Sequence, residues 1–395
     1  MHLAMDEKAQ KQEHGPSAVR IGKTETITEP RATNRLLAVA NADSTVPPIS
    51  DTGSMPVFKY SFALANKRVY RGGWSREVTA RELPIATELA GVNMRLEAGG
   101  VRELHWHKSA EWSLMLYGNA RITAIDTEGR SFVTDVFEDD LWYFPAGIPH
   151  SIQGIGPDGA EFMLVFDDGH FSEYETVLLS DVMAHTPRKV ISRNFGIKPE
   201  ALRGMPTEEL FIFQASVPGA LADDRKLAAG RVGPSRCEFA FRSQHQAAVK
   251  KTAGGEVRIV DSTTFKVSTT VAVAIVTVHA GGMRELHWHP NADEWQYYIS
   301  GKGRMTVVGT GARARTMDFE AGDVGYVQKT LPHYIDNTGD EDLRFIEVFR
   351  ASRFEDLSLV EWLSHTPPEL VMAHLNIDEE TYAAIPSEKL VILPR

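Results

Sequence analysis

The chain has 395 residues, 43% hydrophobic and 24% charged, the balance of a globular protein with room for two or three domains. A formal net charge of −11 argues against a broad nucleic-acid surface, and it means that a pocket for an anion must carry its own cation. The single cysteine, Cys237, excludes an intrachain disulfide framework and a thiolate-rich metal site. No apolar run has signal-peptide or membrane-helix length, so a cytoplasmic protein without membrane contact is expected.

In chain order, residues 1–55 form a polar, Pro-containing arm with no core pattern, expected to be partly disordered or to wrap a neighbouring subunit. Short strands follow over Val92–Leu96, Trp112–Leu116 and Ala120–Ile125, then helical patterns over Glu173–Met183 and Pro199–Met205. Ala215–Arg236, rich in Gly, Ala and charge, is the expected connector. The series then starts again, with strands over Val271–Val278, Trp295–Ile299 and Gly303–Val308 and helical patterns over Phe354–Leu363 and Pro368–Leu375. Strands this short, broken by glycine, predict a mainly β chain of two antiparallel barrels or sandwiches with flanking helices, over residues 56–232 and 233–395.

The restart is a duplication. Ala98-Gly-Gly-Val-Arg-Glu-Leu-His-Trp-His107 recurs as Ala280-Gly-Gly-Met-Arg-Glu-Leu-His-Trp-His289, a shift of 182 residues with nine of ten positions identical. Gly72-Gly73 returns as Gly254-Gly255, and His185-Thr-Pro187 as His365-Thr-Pro367. Solenoid repeats run about 20 to 50 residues, so a period this long means duplicated domains.

Each copy carries residues at metal-ligand spacing. His105 and His107 stand two apart and share one face of a strand. Glu111 follows across a short turn, and His150 arrives after the Pro- and Gly-containing turn Phe144–Pro149. The second copy offers His287, His289, Glu294 and His333, with the turn before the carboxylate one residue longer. Three imidazoles and one carboxylate suit Mn, Fe, Co or Zn and are too nitrogen-rich for Ca or Mg. The other histidines, such as His170, His185, His279 and His365, lack this context and read as structural or surface residues.

These strings resemble the cupin motifs: Gly-x5-His-x-His-x3-Glu-x6-Gly and its x4 form close at Gly118 and Gly301, and Pro145-x-Gly147-x2-His150 supplies the second motif. In the second copy Gln328-Lys329-Thr330 stands in place of Pro-x-Gly, which weakens the case for tight metal binding there. The fold implied is a bicupin of two double-stranded β-helix (jelly-roll) barrels. Over residues 46–377 the chain is similar to bacterial and fungal bicupin oxalate decarboxylases. The likeness rests on Arg102–Lys108 with Ala110-Glu111-Trp112, Asp140–His150, Phe166–Gly169 with Phe171-Ser172-Glu173, and Arg284–Asn291 with Glu294–Tyr298.

The resemblance implies two Mn ions per chain, dioxygen as co-substrate, and oxalate cleaved to formate and CO2 by a radical route, mainly at the N-terminal site. It also implies a homo-oligomer, a trimer or a hexamer of two trimers. Arg102, with Arg284 as its counterpart, would bind the oxalate carboxylate that the metal does not hold. The family's proton-handling glutamate sits on a lid, and the matching stretch is Ser172-Glu173-Tyr174-Glu175-Thr176. Glu173 is the candidate acid and base, and Glu175 a competitor; Tyr174 and Glu175 depart from the common Ser-Glu-Asn-Ser-Thr lid. Glu347 is the acid expected near the second metal, where the aligned segment Phe349–Arg353 offers no lid. The competing readings are an oxalate oxidase releasing CO2 and hydrogen peroxide, and a non-catalytic storage or binding bicupin.

Overall fold

In the strand Ala160–Phe166, Ala160, Phe162, Leu164 and Phe166 point to one side and Met163 and Val165 to the other, and all six are buried. The period of two makes this a strand, and apolar residues on both faces require cover on both. The first set meets Val92, Met94, Ile122 and Ile152 inside a first barrel. The second set joins Trp112 and Leu114 in a shared core whose opposite wall is Val273, Trp295, Ile346 and Val348. Ala274, Val276, Met305 and Phe345 fill the interior of a second barrel. The two barrels therefore stand back to back. Gly91 permits the contact, because a Cβ there would lie 2.4 Å from the Trp295 ring.

This computed structural model describes residues 55–230, 232–311 and 313–395. The expected N-terminal arm lies outside them apart from Met55, which is buried in the second barrel's core. All pairings between the named strands are antiparallel. The two strands expected over Trp112–Leu116 and Ala120–Ile125 are one strand, Glu111–Ile125, which bends at Gly118 (φ 71°) and serves both halves of the barrel. In the second copy the same course is split into Glu294–Ser300 and Lys302–Gly309.

Two strands cross the boundary expected between residues 232 and 233. Lys59–Ser61 pairs with Asp323–Val327 of the second barrel, and Ala240–Arg242 pairs with Asp140–Phe144 of the first. Each barrel is thus completed by the strand that leads into the other.

The helix expected over Glu173–Met183 begins only at Leu179 and ends at His185, because Glu173–Glu175 forms a short 3-10 turn and Val177–Leu178 pairs with His105–Trp106. The helix expected over Phe354–Leu363 likewise starts at Leu359, since Leu357–Ser358 pairs with His287–Trp288. Pro199–Leu202 is a 3-10 turn, and Pro368–Leu375 is the helix its pattern predicts. Inside the connector, the helix Leu221–Ala229 is tied to the first barrel by Asp224 on Arg121 and by Arg225, which donates to the Val133 carbonyl at 2.7 Å. After its helices, each half returns a short strand to its ligand strand: Ile212–Gln214 beside Gly100–Arg102, and Ile392–Leu393 beside Met283–Arg284.

Candidate metal centres

The strand Gly100–Trp106 carries His105 and leads into His107; Glu111 opens the next strand, and His150 opens the strand opposite His105. The second barrel repeats this with His287, His289, Glu294 and His333. Each quartet is buried, with ligand-capable atoms all within 4.8 Å of one another.

Backbone carbonyls settle the tautomers. Nδ1–H donates to the carbonyl of Glu103 from His105 (2.6 Å), of Ile148 from His150 (2.7 Å), of Glu285 from His287 (2.7 Å), of Glu355 from His289 (2.8 Å) and of Leu331 from His333 (3.0 Å). A carbonyl only accepts, so the proton sits on Nδ1 and Nε2 faces inward, the orientation in which a neutral imidazole offers Nε2 as a ligand. Glu111 Oε2 lies 3.3 Å from His150 Nε2 and 3.7 Å from His107 Nε2; Glu294 Oε2 lies 2.8 Å from His333 Nε2 and 3.1 Å from His289 Nε2. Nitrogens and carboxylate oxygens converging in this way can hold a cation between them. In the second quartet the three Nε2 atoms and Glu294 Oε2 are buried with no aligned hydrogen bond, a cost that a metal removes. The residues fit a divalent ion of Mn type.

Burial pushes His105, His107 and His287 well below the ordinary histidine value, helped by Arg102 or Arg284 and by the neighbouring imidazoles. They are therefore neutral, as ligands must be. The other carboxylate oxygen is held from behind. Glu111 Oε1 accepts from Trp142 Nε1 (3.1 Å) and Ser113 Oγ (3.2 Å), and Glu294 Oε1 accepts from Gln296 Nε2 (2.6 Å).

The altered turn of the second copy keeps its geometry. Gly147 (φ 78°) donates its N–H to the His107 carbonyl at 2.9 Å, and Thr330 (φ 70°) does the same to His289 at 2.8 Å. The expected weakening thus finds no counterpart in the backbone; the departure is carried as strain on a β-branched residue.

Arg102 lies at an odd offset from His105, so a regular strand would turn it to the opposite face. A one-residue bulge between Arg102 and His105, opposite Ile152 and His150, brings both inward and leaves Leu104 exposed. The same shift occurs between Arg284 and His287. The two arginines then differ. Arg102 donates Nη1 to the Phe211 carbonyl (3.1 Å) and packs on the Phe211 ring. Arg284 is fully committed: Nε to Glu347 (3.2 Å), Nη2 to Asp356 (2.9 Å) and Nη1 to the Val391 carbonyl (3.4 Å). By strand register, the first-barrel counterpart of Glu347 is the apolar Leu164. Glu347 is thus one of two carboxylates, with Asp356, that tie Arg284 down.

The lid is a local insertion. Phe171 and Phe354 both pack on the second histidine, yet five residues separate Phe171 from Val177 and only two separate Phe354 from Leu357. The additional residues are accommodated by the turn Glu173–Glu175, so the second barrel lacks a lid, and its structural counterpart is Phe354–Leu357 instead of Phe349–Arg353. Glu173 is buried against Ser75, whose Oγ donates at 2.9 Å, while Tyr174 and Glu175 face solvent. Burial first, then the Glu77 charge, raises Glu173 to about 7 against the opposing pull of Arg102, Ser75 and Arg68.

Sequence reasoning missed Trp142, Ser75, Arg68 and Phe211, which support the first site from distant stretches of chain. Trp142 stood inside a family-like string, and nothing local marked the others. His170, His185, His279 and His365 lie exposed, away from both quartets.

The comparisons with known proteins agree with this geometry. The Cupin family model matches residues 62–203 and 241–383. The chain is 49% identical over 379 residues to the oxalate decarboxylase OxdC of Bacillus subtilis, covering 96% of this chain and 97% of that one. It is 37% identical over 348 residues to a probable oxalate decarboxylase of Arthroderma benhamiae, covering 88% of this chain and 85% of that one. A solved structure of the Bacillus enzyme at pH 4.6 superposes with a TM-score of 0.90 at 49% identity, covering 95% of this chain and 97% of that one. Another, used to study that enzyme's Mn(II) centres, also gives 0.90, at 48% identity and with 95% and 98% covered.

Proposed function

The chain belongs to the bicupin oxalate decarboxylases, and from that premise we propose that it converts oxalate to formate and CO2, with catalysis at the first barrel. The observation that carries the assignment to this barrel is Glu173: a buried carboxyl raised to about 7, beside an arginine that, among the described residues, no carboxylate neutralises in direct contact. His105, His107, Glu111 and His150 would hold Mn there, and the second quartet would hold a second ion. Bound Mn with dioxygen supplies one-electron chemistry that spares the reaction a carbanion.

The chain's own groups do the rest. Arg102 binds the free carboxylate of oxalate and stabilises it as the C–C bond breaks. The reaction replaces that bond by the C–H bond of formate, so one proton must reach carbon for each CO2 released. Below pH 7 Glu173 is mostly protonated and can deliver it, then recover a proton from substrate or solvent. Glu175, facing solvent, is poorly placed to compete. Arg284, committed to Glu347 and Asp356, is not free for substrate, which supports a structural or electron-relay role for the second site.

No helix among the described residues is long and apolar enough to cross a membrane. We take the enzyme to be a cytoplasmic homo-oligomer, trimer or hexamer. Exposed Val190 and Phe195 on one helix and Leu370 and Leu375 on its counterpart support subunit contacts through these helices.

The test supplies carbon-13 oxalate to Mn-loaded protein at mildly acidic pH and follows formate and peroxide together. Formate with little peroxide is expected. Peroxide with little formate would make the chain an oxidase. Metal analysis of the purified protein before loading tests the remaining reading: a metal-free, fully folded protein that stays inert would make it a storage bicupin.

A further inference from the structure

A line of alternating rings and guanidinium groups runs from the lid to Arg102. The Arg68 guanidinium lies 4.2 Å from the centre of the Tyr174 ring and 4.0 Å from that of Phe211, and the Arg102 guanidinium lies 3.9 Å from the same Phe211 ring. Each contact has cation–π geometry. Phe211 is rigidly set, at φ 52°, with its N–H donating to Glu103 Oε1 (2.7 Å) and its carbonyl accepting from Glu103 N–H (3.1 Å) and Arg102 Nη1 (3.1 Å).

Arg68, on the strand Lys67–Tyr70, is only 12% exposed. Its Nη2 donates to Tyr70 Oη (2.6 Å) and Glu209 (3.2 Å), while Nη1 is buried with no hydrogen-bond partner among the described residues. A guanidinium kept buried with one nitrogen unsatisfied is costly, and the two rings offset that cost. Tyr174 is 67% exposed and has little apolar cover, so its contact with Arg68 ties the outer side of the lid to the barrel, as the bonds of Glu173 to Ser75 (2.9 Å) and Glu77 (3.2 Å) tie the inner side.

The second barrel lacks every member of this line except the arginine on the ligand strand. By register, Lys250 stands for Arg68 and Val257 for Ser75; Val391 (φ 67°) repeats the backbone role of Phe211 without a ring, and there is no lid. The line is present only where a lid needs holding.

We propose that Arg68 is a positioning residue of the first site: stacked on Tyr174 and Phe211, it latches the lid that carries Glu173 and steadies the ring that supports Arg102. The proposal rests on the reading of the first barrel as the decarboxylating one.

The test measures backbone hydrogen exchange over residues 172–176 in Mn-loaded wild type, Tyr174→Ala, Arg68→Met and the double variant. One lost cation–π contact should speed lid exchange roughly two- to fivefold, and the double variant should be no faster than the faster single one, because both remove the same contact. Exchange at Leu357–Ser358 of the second barrel should not move. With oxalate, the variants should release a larger share of peroxide, with kcat for formate falling more than KM rises. Unchanged lid exchange in both single variants, or additive effects in the double, would overturn the latch. If Arg68→Met does not fold, Arg68→Lys, which keeps the charge and loses the planar stack, takes its place beside the exposed Tyr174→Ala. Lid exchange needs no turnover, so a wild type that makes no formate would defeat the activity reading and still leave the latch decided.

Discussion

If burial is what raises Glu173 to about 7, lid closure must depend on pH, and Glu173→Gln must abolish the dependence. The open lid exposes this carboxyl at its ordinary value of 4.5; the closed lid encloses it with Arg102, Arg68, Glu77 and Tyr70 around it. A group whose closed-state value is raised favours closure while it is protonated, and that preference is lost as pH rises through the closed-state value. The whole shift is worth about 3 kcal/mol. Between pH 5 and pH 8 the linkage amounts to about 2.5 kcal/mol, a change of roughly seventyfold in the closed-to-open ratio. Hydrogen exchange over residues 172–176 of Mn-saturated protein, corrected for intrinsic rates, reads this ratio directly. Wild type should lose protection across that interval, with most of the loss below pH 7, and Glu173→Gln should be flat. A wild type equally protected at pH 5 and pH 8, or a Gln variant that keeps the slope, would refute burial as the cause.

Three further outcomes follow from particular contacts. Trp142→Phe removes the indole donor behind Glu111 Oε1, and Mn affinity of the first site alone should fall about 10- to 100-fold in a chelator competition. Thr330→Gly relieves an exposed β-branched residue at φ 70°; set against the entropy of glycine, a gain of up to about 1 kcal/mol is expected in chemical denaturation, with Mn content unchanged. Gly91→Ala drives a methyl to within 2.4 Å of the Trp295 ring in the core shared by the barrels, and should cost about 1 to 3 kcal/mol in the same assay, with both quartets intact.

The amino-acid sequence by itself determined the duplication, the β character of both halves and the two ligand quartets. These are local signals. His-x-His and the carboxylate lie within eight residues in each copy, and a period of two needs only a few residues to be read. Glu173 and Arg102 were legible for the same reason, as members of short strings.

What the sequence left undecided depends on which strands meet. Arg102 shares a face with His105 only because of a bulge fixed by its pairing with the His150 strand. Leu164 and Glu347 differ in consequence only because register sets them beside the ligand strands, leaving Arg102 in contact with no carboxylate among the described residues and tying Arg284 to Glu347 as well as Asp356. Ser75 and Arg68, opposite each other in one hairpin, reach the lid from far along the chain, Phe211 joins them through Arg68, and each barrel closes with a strand from across the expected boundary. Tertiary structure decided these matters because hydrogen-bonded register and the packing of one barrel on the other are properties of paired segments, and neither segment carries them alone.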